Sequence, residues 1–423
     1  MNDWQLLPLN QVCNIAIGGT PSRNIEEYWG GGEGFPWVAI SDLHGRVITE
    51  TSEKITLKGV NNSNVKAVRE GTVIMSFKLS IGRVAYAGME LYTNEAIASF
   101  DLDDKLIDNN FFYYQLPEVA KSAITDSAIK GATLNKEKLN ALCISFPDLN
   151  SQQKIAKILS TVDNLIEKTQ SLIDKYTAIK QGMMADLFTR GIDMTTGDHQ
   201  NPKGGKLRPS VEDAPELYKQ TELGWVPKEW VVVDLESIAN VDRGKFTHRP
   251  RDDAKCYGGE HPFIQTGSVT KAKGGFITEY KQTLSEFGRS VSREFSAGTI
   301  AVTIAANIAD TGILNIPMCF PDSIVGVNVD EDKALIRFVE ITIRRNKQRL
   351  DAIAPLSAQK NINLEDLRPL KLALPALSEQ VAICKRYEVN ESLISKEIAY
   401  LEKLNKQKKG LMQDLLTGKV KVA

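Results

Sequence analysis

Between Pro147 and Gly191 the apolar positions follow a helical period. Ile155, Ile158, Val162, Leu165, Leu172, Tyr176, Ile179 and Met183 fall at alternating three- and four-residue steps, and Leu159, Ile166 and Ile173 lie beside them. This heptad spacing predicts one long helix with an apolar seam. Thr169 interrupts the seam with a polar group, a common register device. Asn150 and Gln153 have capping-box spacing at its start, and Gly191 stands where a C-cap glycine belongs. Roughly 38 helical residues at ~1.5 Å each give a rod of about 57 Å. A second such helix is predicted over 375–418, with Ile383, Tyr387, Leu393, Ile394, Leu401, Leu404, Leu411 and Leu415 along it. It repeats the first at a displacement of 228 positions, from Pro147-Asp148-Leu149 to Pro375-Ala376-Leu377 and from Gly182 to Gly410.

The remaining chain is duplicated too. Residues 1–146 mix short strands, such as 72–77 and 83–87, with a helix near 111–122. Residues 229–374 echo them: Trp4 answers Trp230, Gly18 answers Gly244, and Pro36-Trp37-Val38 answers Pro262-Phe263-Ile264. Matched positions are turn glycines and apolar framework; unmatched ones are mostly loops. Residues 192–228 are polar and rich in Gly and Pro, and read as a linker. The expectation is an α/β (α+β) fold with a pseudo-two-fold internal repeat. Its parts are a domain at 1–146, a helix at 147–191, the linker, a domain at 229–374 and a helix at 375–418. A two-fold relation makes the two helices antiparallel and coiled together. Gly182 then faces Tyr387, and Gly410 faces Leu159. A mid-helix glycine costs about 1 kcal/mol against alanine, so both suggest close approach, by these side chains or by another subunit. Candidate residues of the helix pair or a subunit interface are Leu159, Val162, Leu165, Gly182, Met184, Leu187, Tyr387, Ile394, Leu401, Gly410, Met412 and Leu415.

Composition removes other classes. No apolar stretch approaches membrane-spanning length, and no export signal opens the chain, so a cytoplasmic protein is expected. Five scattered cysteines suggest free thiols in a reducing compartment. A net charge of −1 gives no bulk sign of a polyanion partner, so any nucleic-acid contact must come from local loops. No phosphate-binding glycine loop, metal-ligand spacing among the four histidines or nucleophile setting is present. Asn201-Pro202 lacks the aromatic of a DNA-methyltransferase motif. Glu95 with 103–105, and Asp322 with 331–333, loosely fit a metal-nuclease template but read as solvated turns.

The loops are more informative. Candidates for DNA contact in the first domain are Thr20, Ser22, Arg23, Ser41, Arg46, Lys78, Ser80, Arg83 and Thr133. In the second they are Lys245, Thr247, His248, Arg249 and Arg251, then Thr266, Ser268, Lys271, Lys273, Asn307, Gln359, Lys360 and Asn361. Such side chains suit phosphate contacts and base-edge readout.

The chain resembles the specificity (S) subunits of type I restriction–modification enzymes over essentially its whole length. The resemblance is carried by Trp4, Gly18-Gly19-Thr20-Pro21, Leu223-Gly224-Trp225-Val226-Pro227-Lys228-Glu229-Trp230, the Pro-x-Leu-x-x-Gln helix starts at Pro147 and Pro375, and the two Lys-x-Gly-x-Met-x-Asp-Leu-x-Thr helix ends. The second copy has Lys245-Phe246-Thr247 where the first has Gly19-Thr20-Pro21. The resemblance implies two target-recognition domains on double-stranded DNA, joined by antiparallel helices. It implies no catalytic residue, cofactor or metal in this chain. S-adenosylmethionine, ATP and Mg are then expected in partners: two methyltransferase (M) subunits and two restriction (R) subunits. Divergent loops imply an asymmetric bipartite site. The other class of reading is a two-headed protein scaffold.

Overall fold

The computed structural model describes residues 4–30, 32, 34–125, 134–196, 205–305, 307–354 and 360–422. It divides into two compact units, Met1–Leu172 with Glu397–Ala423, and Ile173–Lys396.

In the first unit a five-stranded sheet runs in the order Cys13–Ile17, Ile97–Leu102, Val73–Ser76, Val84–Ala87, Val47–Ile48. A four-stranded sheet runs Glu53–Ile55, Phe35–Val38, Leu91–Thr93, Ala67–Val68. The central strand Val73–Ser76 is buried on both faces. One face packs Val73 and Met75 with Phe100, Phe111 and Phe112, while the other packs Ile74 with Val38, Ala85 and Leu91. That double burial explains a continuous apolar run in place of alternation. The second unit repeats the topology. Its five strands run Ala239–Arg243, Ile324–Val329, Ile300–Thr303, Thr311–Leu314, Phe276–Ile277, and its four run Gln282–Leu284, Tyr257–Phe263, Met318–Cys319, Glu294–Phe295.

Both long helices form, Leu149–Thr189 and Leu377–Leu415. The first is capped at Asp148, two residues earlier than the expected Asn150–Gln153 box. Asp148 accepts from Ser151 N at 3.0 Å and from Ser151 Oγ at 2.7 Å. The glutamine of each helix-start motif is wholly buried. Gln152 donates to Pro147 O at 2.8 Å and accepts from Asp108 N at 2.8 Å; Gln380 donates to Pro375 O at 2.9 Å and accepts from Leu335 N at 2.8 Å. Each therefore stitches its helix to the domain backbone beside it. Gly191 and Gly418 end the helices with φ of +65° and +67°, a conformation open to glycine at little cost. Each lies against a matching indole, Trp230 and Trp4.

In each unit the helix segments run antiparallel. Ile155 and Leu159 pack with Leu411, Met412 and Leu415 in the first, where Lys408 meets Asp163 at 2.7 Å. Met183, Met184 and Leu187 pack with Ile383 and Tyr387 in the second, where Lys180 meets Glu391 at 2.9 Å. The two ion pairs are the same pair under the 228-residue displacement. Burial alone would raise the Glu391 pKa, but hydrogen bonds from Tyr387 and Lys180 hold it below the usual carboxylate range.

The seam itself is shifted from the expected one. Ile155, Leu159, Thr169, Ile173 and Leu187 are buried, with Val162, Ile166 and Tyr176 between them half-buried. Ile158, Leu165, Leu172 and Ile179 stay exposed beside it at 37–45%. The helix carries three apolar stripes, and one partner helix covers only two. Leu165 is therefore not a helix-pair residue. Ile394 and Leu401 are half-buried on the second helix. Close approach at the glycines within this chain is also overturned, since a Cβ on Gly182 or Gly410 would meet nothing within 4 Å.

The expected linker has structure of its own. Lys206–Leu207 pairs with Ile192–Asp193, and Tyr218–Thr221 with Gly224–Pro227. Arg208 beside them is buried against Glu379 on the second helix, and its Nη2 reaches Glu379 Oε2 at 3.1 Å and Glu229 Oε2 at 3.0 Å. Trp230 Nε1 and Ile192 N donate to the same Glu379 carboxylate at 3.2 and 2.7 Å. Because truncating one member leaves a buried, unpaired charge, Arg208→Ala or Glu379→Ala is expected to cost about 3–5 kcal/mol. Urea unfolding of the second unit measures this, and a loss under about 1 kcal/mol would contradict it.

Candidate nucleic-acid interface

The loop after Cys13–Ile17 presents the first cluster. Two indoles pin it, with Trp37 Nε1 donating to Gly19 O at 3.0 Å and Trp29 Nε1 to Ser22 O at 3.1 Å. Arg23 lies over both rings, 3.8 Å from the Trp29 centroid and 4.9 Å from that of Trp37, and its Nη2 donates to Glu53 at 3.0 Å. Stacking and pairing hold the guanidinium while leaving half of it in solvent. Thr20 donates to Glu95. That bond, with the positive fields of Lys78 and Arg23, holds Glu95 below the usual carboxylate range. Thr20, Arg23 and Lys78 thus gather around one acid. Lys78 and Ser80 form the tip of the hairpin between Val73–Ser76 and Val84–Ala87, and Arg83 is exposed on its return. Ser22 and Ser41 are exposed. Arg46 is not part of the cluster, because its guanidinium turns to the first long helix and donates to Asn164 at 3.0 Å.

The second domain builds its cluster on the corresponding loop. Lys245 N donates to Phe320 O at 3.1 Å and Thr247 N to Val291 O at 3.0 Å. His248 Nε2 lies 2.8 Å from Asp253, with its ring edge-on to Phe287. A backbone hydrogen bond from Lys255, then the His248 contact, holds Asp253 below its ordinary pKa. Arg249 folds back onto Phe246 O at 2.9 Å and His248 O at 2.8 Å, so it shapes the loop. Arg251 pairs with Asp322 at 3.0 Å, and Arg243 donates to Asp322 O at 2.7 Å. Asp322 corresponds to Glu95. An acid at the centre of each basic loop was legible in the repeat, but was read only as half of a nuclease template. Among the described residues no group of three or more His, Cys, Asp or Glu could hold a metal.

A neighbouring group uses the short helix Thr266–Ala272, which carries Ser268 and Lys271 and ends at Lys273 with φ of +49°. Lys271 pairs with Glu279. A hollow of about 770 Å³ opens here, lined by Gln265, Ser268, Lys271, Phe276 and Gln282. Asn307 Nδ2 reaches Thr270 Oγ1 at 3.4 Å. Ile362 N donates to Ile304 O at 3.0 Å, setting Lys360 and Asn361 beside that hairpin. Lys360 pairs with Asp351 at 3.0 Å. Asn361 Oδ1 is buried with no hydrogen-bond partner among the described residues. Thr133 and Gln359 lie outside the described residues.

Asn307 and Ser80 occupy the same place in two copies of one hairpin. Ser76 Oγ donates to Ser80 O and Thr303 Oγ1 to Asn307 O. Gly82 N donates to Ser76 O at 2.9 Å and Ala309 N to Thr303 O at 2.8 Å. A two-stranded ribbon fits a major groove, and the cations around it suit phosphates. Lys78, Arg83 and Lys245 have no ion-pair partner among the described residues. Removing all three is expected to lower the slope of log affinity against log salt by about 0.9 for each phosphate no longer neutralised. Titration of the assembled complex on duplex DNA from 50 to 300 mM salt, about the range where that effect operates, measures it. An unchanged slope takes them out of the contact set.

The model of the family described as "Type I restriction modification DNA specificity domain" matches residues 1–175 and 227–404. The MjaVIII specificity subunit of Methanocaldococcus jannaschii is 24% identical over 99% of this chain and 93% of its own length. A provisionally named MjaX specificity subunit from the same organism is 29% identical over 74% of this chain, and the match spans 65% of that relative's length, just under two thirds. In fold, the chain is similar to the crystal structure of a type I restriction–modification system S subunit from M. genitalium, with a TM-score of 0.58, 14% identity and coverage of 97% and 96% of the two chains. A chain from a structure concerning complex assembly and conformational transition of the type I R-M system gives a TM-score of 0.53 at 14% identity, covering 98% of this chain and 97% of that one. The paired basic loops thus lie on a fold that the solved S subunit also has, and the chain belongs to the type I restriction modification DNA specificity family.

Proposed function

We propose that this chain is the DNA-reading subunit of a type I restriction–modification enzyme. Each domain reads one half of a bipartite, asymmetric site, and the two long helices set the unread gap. The observation that carries the proposal is the pair of hairpins above. Their stems share a bonding scheme, while Lys78 and Ser80 in one have Ala305 and Asn307 as counterparts in the other. One scaffold with two different readout surfaces suits two different half-sites. Catalysis, S-adenosylmethionine, ATP and Mg belong to partner subunits in this reading.

The uncovered apolar stripe supports partner docking. Leu165 and Leu393 are equivalent under the repeat and are 39% and 37% exposed; Leu172 and Tyr400 are equivalent and 38% and 43% exposed. Each long helix thus offers a like patch, which suits two copies of one partner, the methyltransferase subunit. Gly182 is exposed and Gly410 half-buried, and a Cβ on either would meet nothing within 4 Å, which leaves room for a second chain to come close. Leu165→Glu combined with Leu393→Glu is expected to leave the melting temperature within about 2 °C, since the sites are solvent-facing, and to abolish co-purification of the methyltransferase subunit. Retained co-purification would remove this face from the docking surface.

The deciding experiment is co-expression with the cognate methyltransferase subunit in an unmodified host, followed by mapping of modified bases. A bipartite motif is expected. Exchange of residues 1–146 for those of another family member is expected to change one half only. Absence of a motif, or change in both halves, overturns the reading.

A further inference from the structure

We propose that Leu79 is a specificity-determining residue of the first domain, reading the C5 methyl of a thymine in the major groove. The inference rests on the DNA-reading function above.

Two features of Leu79 are unfavourable unless something outside this chain compensates them. Its side chain is 92% exposed, the most exposed large apolar residue described. Its φ is +59°, a left-handed conformation that a bulky side chain rarely adopts. Glycine or asparagine would relieve both costs. The stem beneath leaves the tip little freedom. Ser76 Oγ holds Ser80 O, Ser76 N donates to Arg83 O at 2.9 Å, and Gly82 N donates to Ser76 O at 2.9 Å. Phe77 is buried in the core and Ile81 packs against it, so the residues flanking the tip point inward. Leu79 is therefore presented outward on a pinned stem.

The surroundings indicate the occupant. Between Ser76 and Val84, Leu79 is the one large apolar side chain in the exposed class. Its neighbours are Lys78 and Arg83, and neither has an ion-pair partner among the described residues. A protein-docking patch groups several apolar residues. A single apolar tip between free cations matches a groove whose walls are phosphates and whose floor is bases. On that floor the thymine methyl is the apolar group, and no other standard base offers one. In the repeated sequence Leu79 answers Ala306, so the proposed contact is confined to one half-site.

The test starts from the motif mapped with the wild-type complex. In duplexes carrying that motif, each thymine is replaced in turn by deoxyuridine, which pairs identically and lacks only the methyl. One replacement, in the half-site of the first domain, is expected to weaken wild-type binding about tenfold. The same replacement is expected to have less than about a twofold effect on complexes with Leu79→Ala or Leu79→Gly. Leu79→Gly is expected to melt at the same temperature or higher, because glycine suits this backbone; a failed fold therefore cannot mimic the result. If every replacement is neutral for the wild type, or if the sensitive one stays sensitive in both variants, the proposal is overturned. Loss of the methyltransferase subunit from the Leu79→Gly complex would assign the tip to a protein contact and also overturn it. A wild-type complex without a bipartite motif fails one step earlier, at the function itself, and takes this inference with it.

Discussion

The seam between the long helices contains one ion pair used twice, Asp163 with Lys408 and Glu391 with Lys180. A purely apolar seam tolerates a slip by one heptad, because leucine meets leucine again. Charges paired at fixed heights do not, since a slip parts each of them from its partner. The same layer receives the domains. Tyr114 donates to Asp163 at 2.6 Å from the domain helix of the first unit, and Arg337 reaches Glu391 at 2.6 Å from that of the second. In each unit one carboxylate sets both helix register and domain attachment. Gln152 and Gln380 add a second fixed point at the helix starts.

On this held scaffold the surface loops are free to differ. Serine and threonine do the same work under the two hairpin tips, and Glu95 and Asp322 do comparable work among the cations. The second unit reinforces its attachment differently. Glu340 is wholly buried and accepts from Thr311 at 2.6 Å, Arg337 at 2.7 Å and Arg344 at 2.8 Å. The duplication thus keeps the seam ion pair and the backbone-directed bonds, while the network around Glu340 belongs to the second unit.

Not every basic loop residue has a free cation. Arg46 donates to Asn164 on the first long helix and Arg249 to its own loop. Their charge is partly committed to holding structure, which no composition count reveals. Lys78, Arg83 and Lys245, at hairpin tips and loop entries, are among the cations with no ion-pair partner among the described residues.

Much was determined along the chain alone. Repeat, helices and turn glycines, with Trp4 answering Trp230 in the repeat, are local or periodic signals, and each has a local physical cause. A heptad pattern shows that a helix will pair, and a two-fold repeat shows that it will pair antiparallel. What periodicity could not decide was which two of three apolar stripes the partner would cover. Domain packing against Ile155 and Leu159 chose, and left Leu165 and Leu172 outside. The folding back of residues 205–228 onto Glu379 was likewise invisible, because Arg208 and its partner lie 171 residues apart. Loops could be nominated by composition, but a side chain's partner is set by what the fold brings within about 3 Å, and only the tertiary structure decides that.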